Sequence, residues 1–314
     1  MAGGALRPAP PAPPEQLRTT HRASPLIQAS DVWYRHTKDK CQARGLDAAV
    51  RPGEYIAVLG RNGVGKSTFG KLLIGLHQHE RGAVVTAGMD TRKTSVAAIC
   101  RRVGYLFQNP AHQLFTGRVI DEILFGLRIA GVEGDEAVRR ARETLEFVGL
   151  DHKHEQHPLK LSQGERKRLA AGTVLALRPD GMILDEPTTG QDHRRLTYLL
   201  RLMENVNRDS STAIVMVTHD MDVVASYATR VIGLSDGAVA FDGRMDELFA
   251  NAAAMQRLGV RPPEVVQVAN EVTSLDLGLP KSPEDLVGRL VGHDLVVEAP
   301  EPVLELNQHR TSGR

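Results

Sequence analysis

Short apolar runs alternate with longer stretches of helical periodicity along most of the chain. Residues 55–59 and 213–217 are continuous apolar runs with the length of a buried strand. Residues 26–60 as a whole are rich in strand-forming residues. Further strands are indicated by shorter apolar runs at residues 84–85, 103–106 and 182–184.

Helical periodicity marks two regions. A helix is predicted to begin near Lys66 and to continue through Ile74. Between Asn109 and Arg178 apolar residues recur at every third or fourth position, as in amphipathic helices. The residues that carry this period are Ile120, Ile123, Leu124, Leu127, Ala141, Leu145 and Val148. Because strands and helices alternate on both sides of this block, we predict an α/β fold with a mostly parallel sheet and an inserted helical block.

Changes in composition divide the chain into three segments. Residues 1–24 are rich in proline and alanine and are predicted to form a disordered leader, since they lack the apolar core of a signal peptide. Residues 25–250 carry the alternating pattern and are predicted to form one domain. Residues 251–314 follow a break in composition and are predicted to be a helical extension, with helices at 265–272 and 283–291.

Composition and charge exclude several classes of protein. The chain has 41% hydrophobic and 25% charged residues, which is ordinary for a soluble globular protein. Its formal net charge of +1 provides no broad basic field, so no nucleic-acid partner is expected. Cys41 and Cys100 form no metal-binding pattern and are expected to be free thiols in a reducing cytoplasm. No apolar run approaches the roughly 20 residues that span a bilayer, so a membrane role would require a separate chain.

A glycine-rich segment between the strand at 55–59 and the following helix fits a phosphate-binding loop. Its glycines let backbone N–H groups turn toward phosphate oxygens, and the helix N-terminus adds the positive end of its dipole. Lys66 is expected to reach the β- and γ-phosphates and Ser67 to bind Mg²⁺. The predicted nucleotide-binding residues are Gly60, Arg61, Asn62, Gly63, Val64, Gly65, Lys66, Ser67 and Thr68.

An acidic pair ends the apolar run at 182–184. Asp185 is expected to bind Mg²⁺ and Glu186 to act as the general base for an attacking water molecule. A carboxylate pair after a strand is common by itself. Downstream of a phosphate-binding loop, however, it predicts a nucleotide-hydrolysing site.

With the segments around them, these motifs make the chain resemble the nucleotide-binding domain of the ABC transporter family. Residues 161–165, Leu-Ser-Gln-Gly-Glu, are similar to the family's signature, and matching segments run in the family's order from about Leu26 to Phe249. The resemblance implies a phosphate-loop NTPase fold with an antiparallel β subdomain, a parallel-sheet core and a helical subdomain at about 109–178. It also implies ATP and Mg²⁺ as cofactors and ATP hydrolysis as the activity.

The same resemblance gives roles to individual residues. Gln108 matches the glutamine that senses the γ-phosphate and Mg²⁺, and His219 matches the switch histidine that contacts the γ-phosphate. Asp192 lies in the segment that would cross a dimer interface. Tyr34 is the candidate aromatic for stacking on adenine, with Trp33 as the alternative. The implied catalytic residues are Lys66, Gln108, Glu186 and His219, and the implied magnesium-binding residues are Ser67, Gln108 and Asp185.

The signature is expected to serve a second ATPase subunit, which is either a copy of this chain or a related one. Ser162 and the backbone of Gly164 would face the γ-phosphate held by that subunit. The segment departs from the common Leu-Ser-Gly-Gly-Gln at Gln163 and Glu165. An acid near phosphates is unfavourable unless it faces away or pairs with Arg166 or Lys167. The departures leave open whether both ATP sites of the dimer are equally active.

Within the family, residues 108–115 and 121–126 are similar to the ATPases of energy-coupling factor importers, which include cobalt- and nickel-type importers. The first segment, Gln-Asn-Pro-Ala-His-Gln-Leu-Phe, departs from the subgroup's pattern at Ala111. Residues 261–263, Arg-Pro-Pro, and the helix after them resemble the subgroup's C-terminal extension, a dimer contact. The resemblance implies uptake of a small solute, a vitamin or a metal ion, through a separate integral membrane subunit.

Leu114 and Phe115 lie where the family receives a coupling helix from its membrane partner. They are the expected contact with that partner, and packing inside the helical subdomain is the alternative for these apolar residues. The predicted location is peripheral, on the cytoplasmic face of the cell membrane.

Two other functions remain as alternatives. The first is the ATPase of another ABC transporter class. The second is a non-transport ABC ATPase that acts on chromosomes or ribosomes. Gln108 and Leu161 are too close in the chain to enclose the long coiled coil of the chromosome type. Members that act in translation usually carry two cassettes in one chain, and this sequence has one.

Overall fold

The computed structural model describes residues 24–37, 40–189, 193–271, 278, 280 and 283–291. The strands are β1 (Ile27–Thr37), β2 (Lys40–Val50), β3 (Tyr55–Leu59), β4 (Arg81–Thr86), β5 (Met89–Asp90), β6 (Val103–Leu106), β7 (Gly181–Asp185), β8 (Ala213–Val217), β9 (Arg230–Ser235) and β10 (Ala238–Arg244). The helices are α1 (Lys66–Leu73), α2 (Val96–Cys100), α3 (Val119–Ile129), α4 (Gly134–Phe147), α5 (Gln163–Leu175), α6 (His193–Ser210), α7 (Met221–Tyr227), α8 (Met245–Phe249), α9 (Ala252–Leu258), α10 (Glu264–Glu271) and α11 (Pro283–Val291). Within the described ranges, three short 3-10 turns lie at Pro110–His112, Asp151–Lys153 and Pro158–Lys160.

The strands form two sheets. An antiparallel sheet has the order β2-β1-β4-β5, and a larger sheet has the order β10-β9-β3-β8-β7-β6. In the larger sheet β9, β3, β8, β7 and β6 are parallel, and β10 pairs antiparallel with β9. The predicted α/β fold with an antiparallel subdomain and a parallel core is confirmed.

Burial explains why the central strands read as continuous apolar runs. Every residue of β3, β7 and β8 is buried, because the sheet is covered on both faces. Phe69 and Leu72 of α1 join Ile56 and Val58 of β3 in a core that also includes the buried side chains of β1. This core holds α1 between the two sheets.

The strand register places four connecting segments along one edge of the larger sheet. Val217 of β8 pairs with both Val58 of β3 and Asp185 of β7, while Leu106 of β6 pairs with Leu184. Since these strands are parallel, the residues that follow β3, β6, β7 and β8 all emerge at this edge. The phosphate-binding loop and the predicted catalytic residues follow these four strands.

The predicted helical insertion lies between β6 and β7 and contains α3, α4 and α5. Its core is formed by fully buried side chains at the predicted periodic positions: Ile123, Leu127, Ala141, Leu145 and Val148. None of the helices in the described part of the chain is long and apolar enough to cross a membrane.

The C-terminal part divides after Arg261, later in the chain than the break in composition at residue 250. Leu258 of α9 is fully buried against Gly233 of β9, where a Cβ atom would lie 2.5 Å from Leu258 Cδ1. The absent side chain at residue 233 therefore makes room for α9 on the first unit. A second unit begins at Pro262, and within it Ala269 and Leu286 are buried. The predicted leader lies outside the described residues except for Ser24.

Candidate functional site

The loop between β3 and α1 adopts a conformation that requires glycine. Gly60 has a φ of 146°, and a side chain there would collide with the carbonyl oxygen of Leu234. Gly65 has a φ of 106°, and a Cβ atom would lie 2.9 Å from the carbonyl oxygen of Gln42. These positions let the backbone wrap closely before α1 begins, which is the geometry of a phosphate cradle.

Lys66 lies across this loop. Its Nζ donates to the carbonyl oxygens of Gly60 at 2.8 Å and Arg61 at 3.3 Å. Burial lowers the pKa of Lys66, while Glu186 and Asp185 act in the opposite direction. The ammonium group lies next to the phosphate-binding loop. A nucleotide phosphate bound there could replace the carbonyl oxygens of Gly60 and Arg61 as its acceptor.

Asp185, at the end of β7, meets Ser67, the second residue of α1. Ser67 Oγ donates to Asp185 Oδ1 at 2.7 Å, and the buried hydroxyl of Tyr105 donates to Asp185 Oδ2 at 2.8 Å. Two of the three predicted magnesium-binding residues are thus adjacent, although 118 positions separate them in the chain. A hydroxyl and a carboxylate are oxygen ligands of the kind that Mg²⁺ prefers.

Glu186 and His219 face each other at the ends of β7 and β8. His219 Nδ1 lies 3.0 Å from Glu186 Oε2, with the glutamate side chain 11% exposed and the histidine 59% exposed. Glu186 has a φ of 47°, a strained value for a non-glycine residue, and its N–H donates to the carbonyl oxygen of Val217 at 2.8 Å. Such local strain directs the carboxylate into the open cleft.

Gln108 follows β6, and its side chain is exposed at the same cleft. The loop that carries it is fixed by Gln113, whose Oε1 accepts from Phe107 N at 3.0 Å and whose Nε2 donates to the carbonyl oxygen of Tyr105 at 3.1 Å. Gln113 was not among the predicted site residues. Its place inside the matched segment 108–115 was the only available signal.

A cavity of about 520 Å³ surrounds the phosphate-binding loop. It is lined by Gln42, Asn62, Gly63, Gly65, Lys66, Ser67, Thr68, Gln108, Glu186, Thr189 and His219. The structure therefore brings together Lys66, Ser67, Gln108, Glu186 and His219. Gln42 of β2 was missed by the sequence analysis, and its Oε1 accepts from Thr68 Oγ1 at 2.9 Å. Gln42 reaches the cavity because β2 of the antiparallel sheet lies beside the start of α1.

The two aromatic candidates for adenine lie on β1. Tyr34 is half-buried, and its ring stacks on His77 with centroids 5.0 Å apart and an interplanar angle of 18°. Trp33 donates from Nε1 to Asp31 Oδ1 at 2.7 Å, and the guanidinium of Arg81 lies 5.8 Å from its ring centroid. Tyr34 therefore remains a proposal for adenine stacking, and His77 covers part of its surface.

The signature begins α5. Ser162 is the N-cap residue, and its Oγ accepts from Glu165 N at 3.4 Å while Glu165 Oε2 accepts from Ser162 N at 2.9 Å. The two residues thus form a reciprocal capping box at the N-terminus of α5. Among the described residues that line the phosphate-loop cavity, none belongs to the segment 162–165. The signature thus lies apart from the phosphate-loop cavity of its own chain.

Glu165 faces Lys153 rather than Arg166 or Lys167, the partners that the sequence suggested. Lys153 Nζ donates to Glu165 Oε1, and the two side chains are 24% and 18% exposed. Burial alone would raise the pKa of Glu165, but hydrogen bonds from Lys153 and Ser162 lower it to about 2. The negative charge of the carboxylate is therefore balanced by Lys153 of the same chain. This pairing removes the expected repulsion between Glu165 and a phosphate at the signature.

Lys167, two residues further along α5, is a third residue that sequence reasoning missed. Its side chain is buried, with 1% exposure, and Nζ donates to the carbonyl oxygens of Pro187 at 2.8 Å and Thr189 at 2.7 Å. It thereby joins the signature helix to the segment that follows Glu186. Asp192 itself, with Gly190 and Gln191, lies outside the described residues, so its predicted role at a dimer interface stays a prediction.

The buried amine predicts a pH-dependent contribution to stability. Burial lowers the pKa of Lys167 to about 8, against a smaller opposing effect of Glu186. Between about pH 8 and the ordinary lysine range, the unfolded chain binds this proton and the folded chain does not, so the free energy of unfolding rises with pH. Urea unfolding of the wild type and of Lys167→Met at pH 7.5 and 9.5 would measure this. We expect the free energy of unfolding to rise more between these two pH values in the wild type than in the variant. An equal rise in both would show that Lys167 is not the group responsible.

A second cavity, of about 350 Å³, forms an apolar groove between the larger sheet and the helical block. Phe115 lines it, is 66% exposed and packs edge-on against Phe125, with ring centroids 4.8 Å apart. Buried Glu122 fixes the turn beneath, since its Oε1 accepts from Phe115 N and Thr116 N, each at 2.6 Å. Leu114 is half-buried and is not among the described residues that line the groove.

Comparison with known proteins identifies the class and the family. The fold and the assembled site define a phosphate-loop nucleotide-binding domain with a helical insertion that carries a signature motif. A family model described as ABC transporter matches residues 43–189. An ABC transporter ATP-binding protein of Pyrococcus horikoshii, PH0132, is 36% identical over 247 residues, which cover 79% of this chain and 94% of that protein. The chain belongs to the ABC transporter family.

Other relatives are longer than this chain. ABC transporter ATP-binding proteins of Caldanaerobacter subterraneus (TTE1589) and Methanosarcina acetivorans are 38% and 36% identical, over 79% and 86% of this chain. The chain spans 43% and 44% of their lengths, less than half of each.

Two solved structures are similar. The cbiO1 protein of Clostridium perfringens, described as part of the ABC transporter complex cbiONQ, has a TM-score of 0.67 and 26% identity, covering 80% of this chain and 99% of that one. The ATP-binding cassette MJ0796, described as a dimer bound to ADP and Pi, has a TM-score of 0.63 and 23% identity, covering 70% and 98%. The second likeness shows the fold alone.

Proposed function

We propose that this chain is the ATP-binding and ATP-hydrolysing subunit of an energy-coupling factor importer. The observation that carries the ATPase part is the convergence of Lys66, Ser67, Glu186 and His219 on one cleft at the carboxyl edge of the larger sheet. Lys66 and Ser67 begin α1 after β3, while Glu186 and His219 follow β7 and β8, and parallel pairing of these strands brings them together.

Nucleotide phosphates would be held by the loop at residues 60–67. Its inward-turned N–H groups and the N-terminus of α1 supply partial positive charge, and Lys66 supplies a full charge. Thr68, held by Gln42, lies at the start of the same helix. Tyr34 remains the proposed adenine platform.

Ser67 and Asp185 are the proposed residues for Mg²⁺, with Gln108 near the same cleft. Their oxygen donors already lie next to each other, so the donor set fits this cation. When bound, Mg²⁺ would neutralise phosphate charge during hydrolysis. Glu186 is the proposed general base, because its carboxylate faces the cleft and lies within hydrogen-bond reach of His219.

A complete ATP site would need a second subunit. The N-terminus of α5, capped by Ser162, can bind an anion, yet it lies apart from the phosphate-loop cavity of its own chain. The second subunit is proposed to be either a copy of this chain or a related ATPase. The C-terminal helices α10 and α11 are proposed to contribute to that pairing.

The importer type rests on two lines of support. Residues 108–115 and 121–126 resemble the subgroup, and cbiO1 is described as part of an ABC transporter complex. The chain would act at the cytoplasmic face of the membrane, bound to an integral membrane subunit that carries a vitamin or a metal ion. The groove beside Phe115 is the proposed contact, since an exposed apolar cleft between two subdomains suits an apolar helix.

Substitution of Phe115 by Asp should separate the chain from its membrane subunit. Burial of such a side chain contributes about 1.5–3 kcal/mol, and a charge in the groove adds a desolvation penalty. We expect recovery of the membrane subunit with the tagged chain to fall at least about tenfold. The measurement is quantitative co-purification from detergent-solubilised membranes.

The matched control is Val138→Asp, which adds the same charge at an apolar residue that is 42% exposed on α4 and does not line the groove. This variant should co-purify as the wild type does. Equal recovery with Phe115→Asp would show that the groove is not the contact.

The importer type itself is tested by identifying the co-purifying proteins. An integral membrane subunit accompanied by a separate small binding protein is expected. A single membrane partner that contains its own substrate site would indicate another ABC transporter class. Recovery of ribosomal or chromosomal proteins without a membrane subunit would overturn the transport function.

A further inference from the structure

Tyr105 is a buried residue of β6 that contacts Asp185, a residue of the proposed magnesium site, from the interior of the protein. It is 4% exposed, and its hydroxyl donates to Asp185 Oδ2 at 2.8 Å. Ser67 Oγ donates to the other carboxylate oxygen, Oδ1, at 2.7 Å. The two oxygens of Asp185 therefore have separate partners, one on the cleft side and one inside the protein.

The ring of Tyr105 has little freedom to move. It packs against Phe107 with centroids 4.8 Å apart and an interplanar angle of 60°. On the side of α1, a Cβ atom at Gly70 would lie 3.4 Å from Tyr105 Cε2, so the helix approaches the ring through a residue without a side chain. The carbonyl oxygen of Tyr105 accepts from Gln113 Nε2 at 3.1 Å. The hydroxyl is thus presented to Asp185 from a rigid position.

The Tyr105 hydroxyl is the donor in this contact, because an ionised carboxylate can only accept. A neutral hydroxyl that donates to a carboxylate forms a charge-assisted hydrogen bond, which is stronger and more directional than a neutral one. The bond from Tyr105 therefore fixes the position of Asp185 Oδ2. Because the two oxygens belong to one planar carboxylate, this bond also orients Oδ1 toward Ser67.

We propose that Tyr105 is a positioning residue that orients the Asp185 carboxylate for a divalent cation. The proposal rests on the magnesium-dependent ATPase described above and adds a residue that no motif contains. Outer partners of metal-binding carboxylates typically change metal affinity by about 10–100-fold when removed. Tyr105 would contact neither the nucleotide nor the cation.

The test is Tyr105→Phe, which removes the hydroxyl and keeps the ring. The affinity for the fluorescent analogue mant-ATP is measured in excess Mg²⁺ and in excess EDTA. The dissociation constant in EDTA divided by the dissociation constant in Mg²⁺ is the cation gain, the factor by which the cation strengthens binding. Mn²⁺ binding to the protein–ATP complex is followed by electron paramagnetic resonance. We expect the cation gain to fall about tenfold and the half-saturating Mn²⁺ concentration to rise about tenfold, with the EDTA affinity unchanged within about twofold.

Tyr55→Phe is the matched control. Tyr55 is a buried tyrosine of β3, 3% exposed, whose hydroxyl has no hydrogen-bond partner among the described residues. Its removal should leave the cation gain at the wild-type value, and melting temperatures of both variants check that they are folded.

Each outcome has a defined meaning. Loss of affinity by the same factor with and without cation would indicate a general structural effect and overturn the positioning role. A cation gain that Tyr105→Phe retains in full would overturn it as well. A wild-type chain without any cation gain would refute the magnesium site itself, and this inference with it.

Discussion

Glu186→Gln is expected to lower the turnover of ATP by about 10²–10⁴-fold while ATP binding persists. The amide has nearly the shape of the carboxylate but cannot accept a proton from water. The carboxylate lies at the cleft, 3.0 Å from His219 Nδ1 and 11% exposed. Phosphate release and equilibrium binding of mant-ATP, measured on the same preparation, separate chemistry from binding.

Glu54→Gln is the control for the loss of a half-buried carboxylate. Glu54 precedes β3 and pairs with Arg230 at 3.2 Å, on the edge of the sheet opposite the phosphate-binding loop. It should retain turnover within about threefold, because only local stability changes. Near-normal hydrolysis by Glu186→Gln would remove this residue from the role of general base.

Ser162→Arg is expected to prevent closure of the ATP-bound dimer and to reduce turnover at least about 100-fold, the loss typical when one donor to a reacting anion is removed. The bulky side chain would occupy the end of α5 that is proposed to meet the partner's ATP. Nucleotide binding by the single chain should persist, because the signature does not line its own phosphate-loop cavity. The clearest assay places the substitution in the Glu186→Gln background and follows ATP-dependent dimerisation by light scattering.

The loss of a helix cap needs its own control, since Ser162 is the N-cap residue of α5. Ser95→Arg removes an equivalent cap from α2, where Ser95 accepts from Ala98 N at 3.3 Å. A cap is worth about 1 kcal/mol in either helix. Dimerisation that survives both substitutions equally would refute the shared ATP site.

The motif residues were predictable because their chemistry depends on local sequence. The glycines at residues 60–65 are required by backbone conformation, and Lys66 and Ser67 follow directly at the start of a helix. Asp185 and Glu186 follow a strand whose continuous apolar pattern reflects burial on both faces. Gln108, Ser162 and His219 were identified through resemblance, and their positions at strand or helix ends agree with it.

The supporting residues were not predictable because their contacts join different elements that meet only in the folded chain. Tyr105 meets Asp185 through strand pairing, and Lys167 meets Pro187 through the docking of α5. A tyrosine within an apolar strand or a lysine within a helix has no local mark that distinguishes such a contact from ordinary packing or exposure. The same holds for Lys153, which is the partner of Glu165 in the structure, whereas the sequence suggested Arg166 or Lys167.

By itself, the sequence indicated the class of the domain, its central strands and the motif residues that line the phosphate-loop cavity. Periodicity and backbone requirements are local properties, so they can be read along the chain. The tertiary structure decided which side chains hold those residues in place, and that the signature lies away from the phosphate-loop cavity of its own chain. Both depend on sheet register and helix docking, which bring together residues from different elements, as in the contact of Tyr105 with Asp185, 80 positions further along the chain.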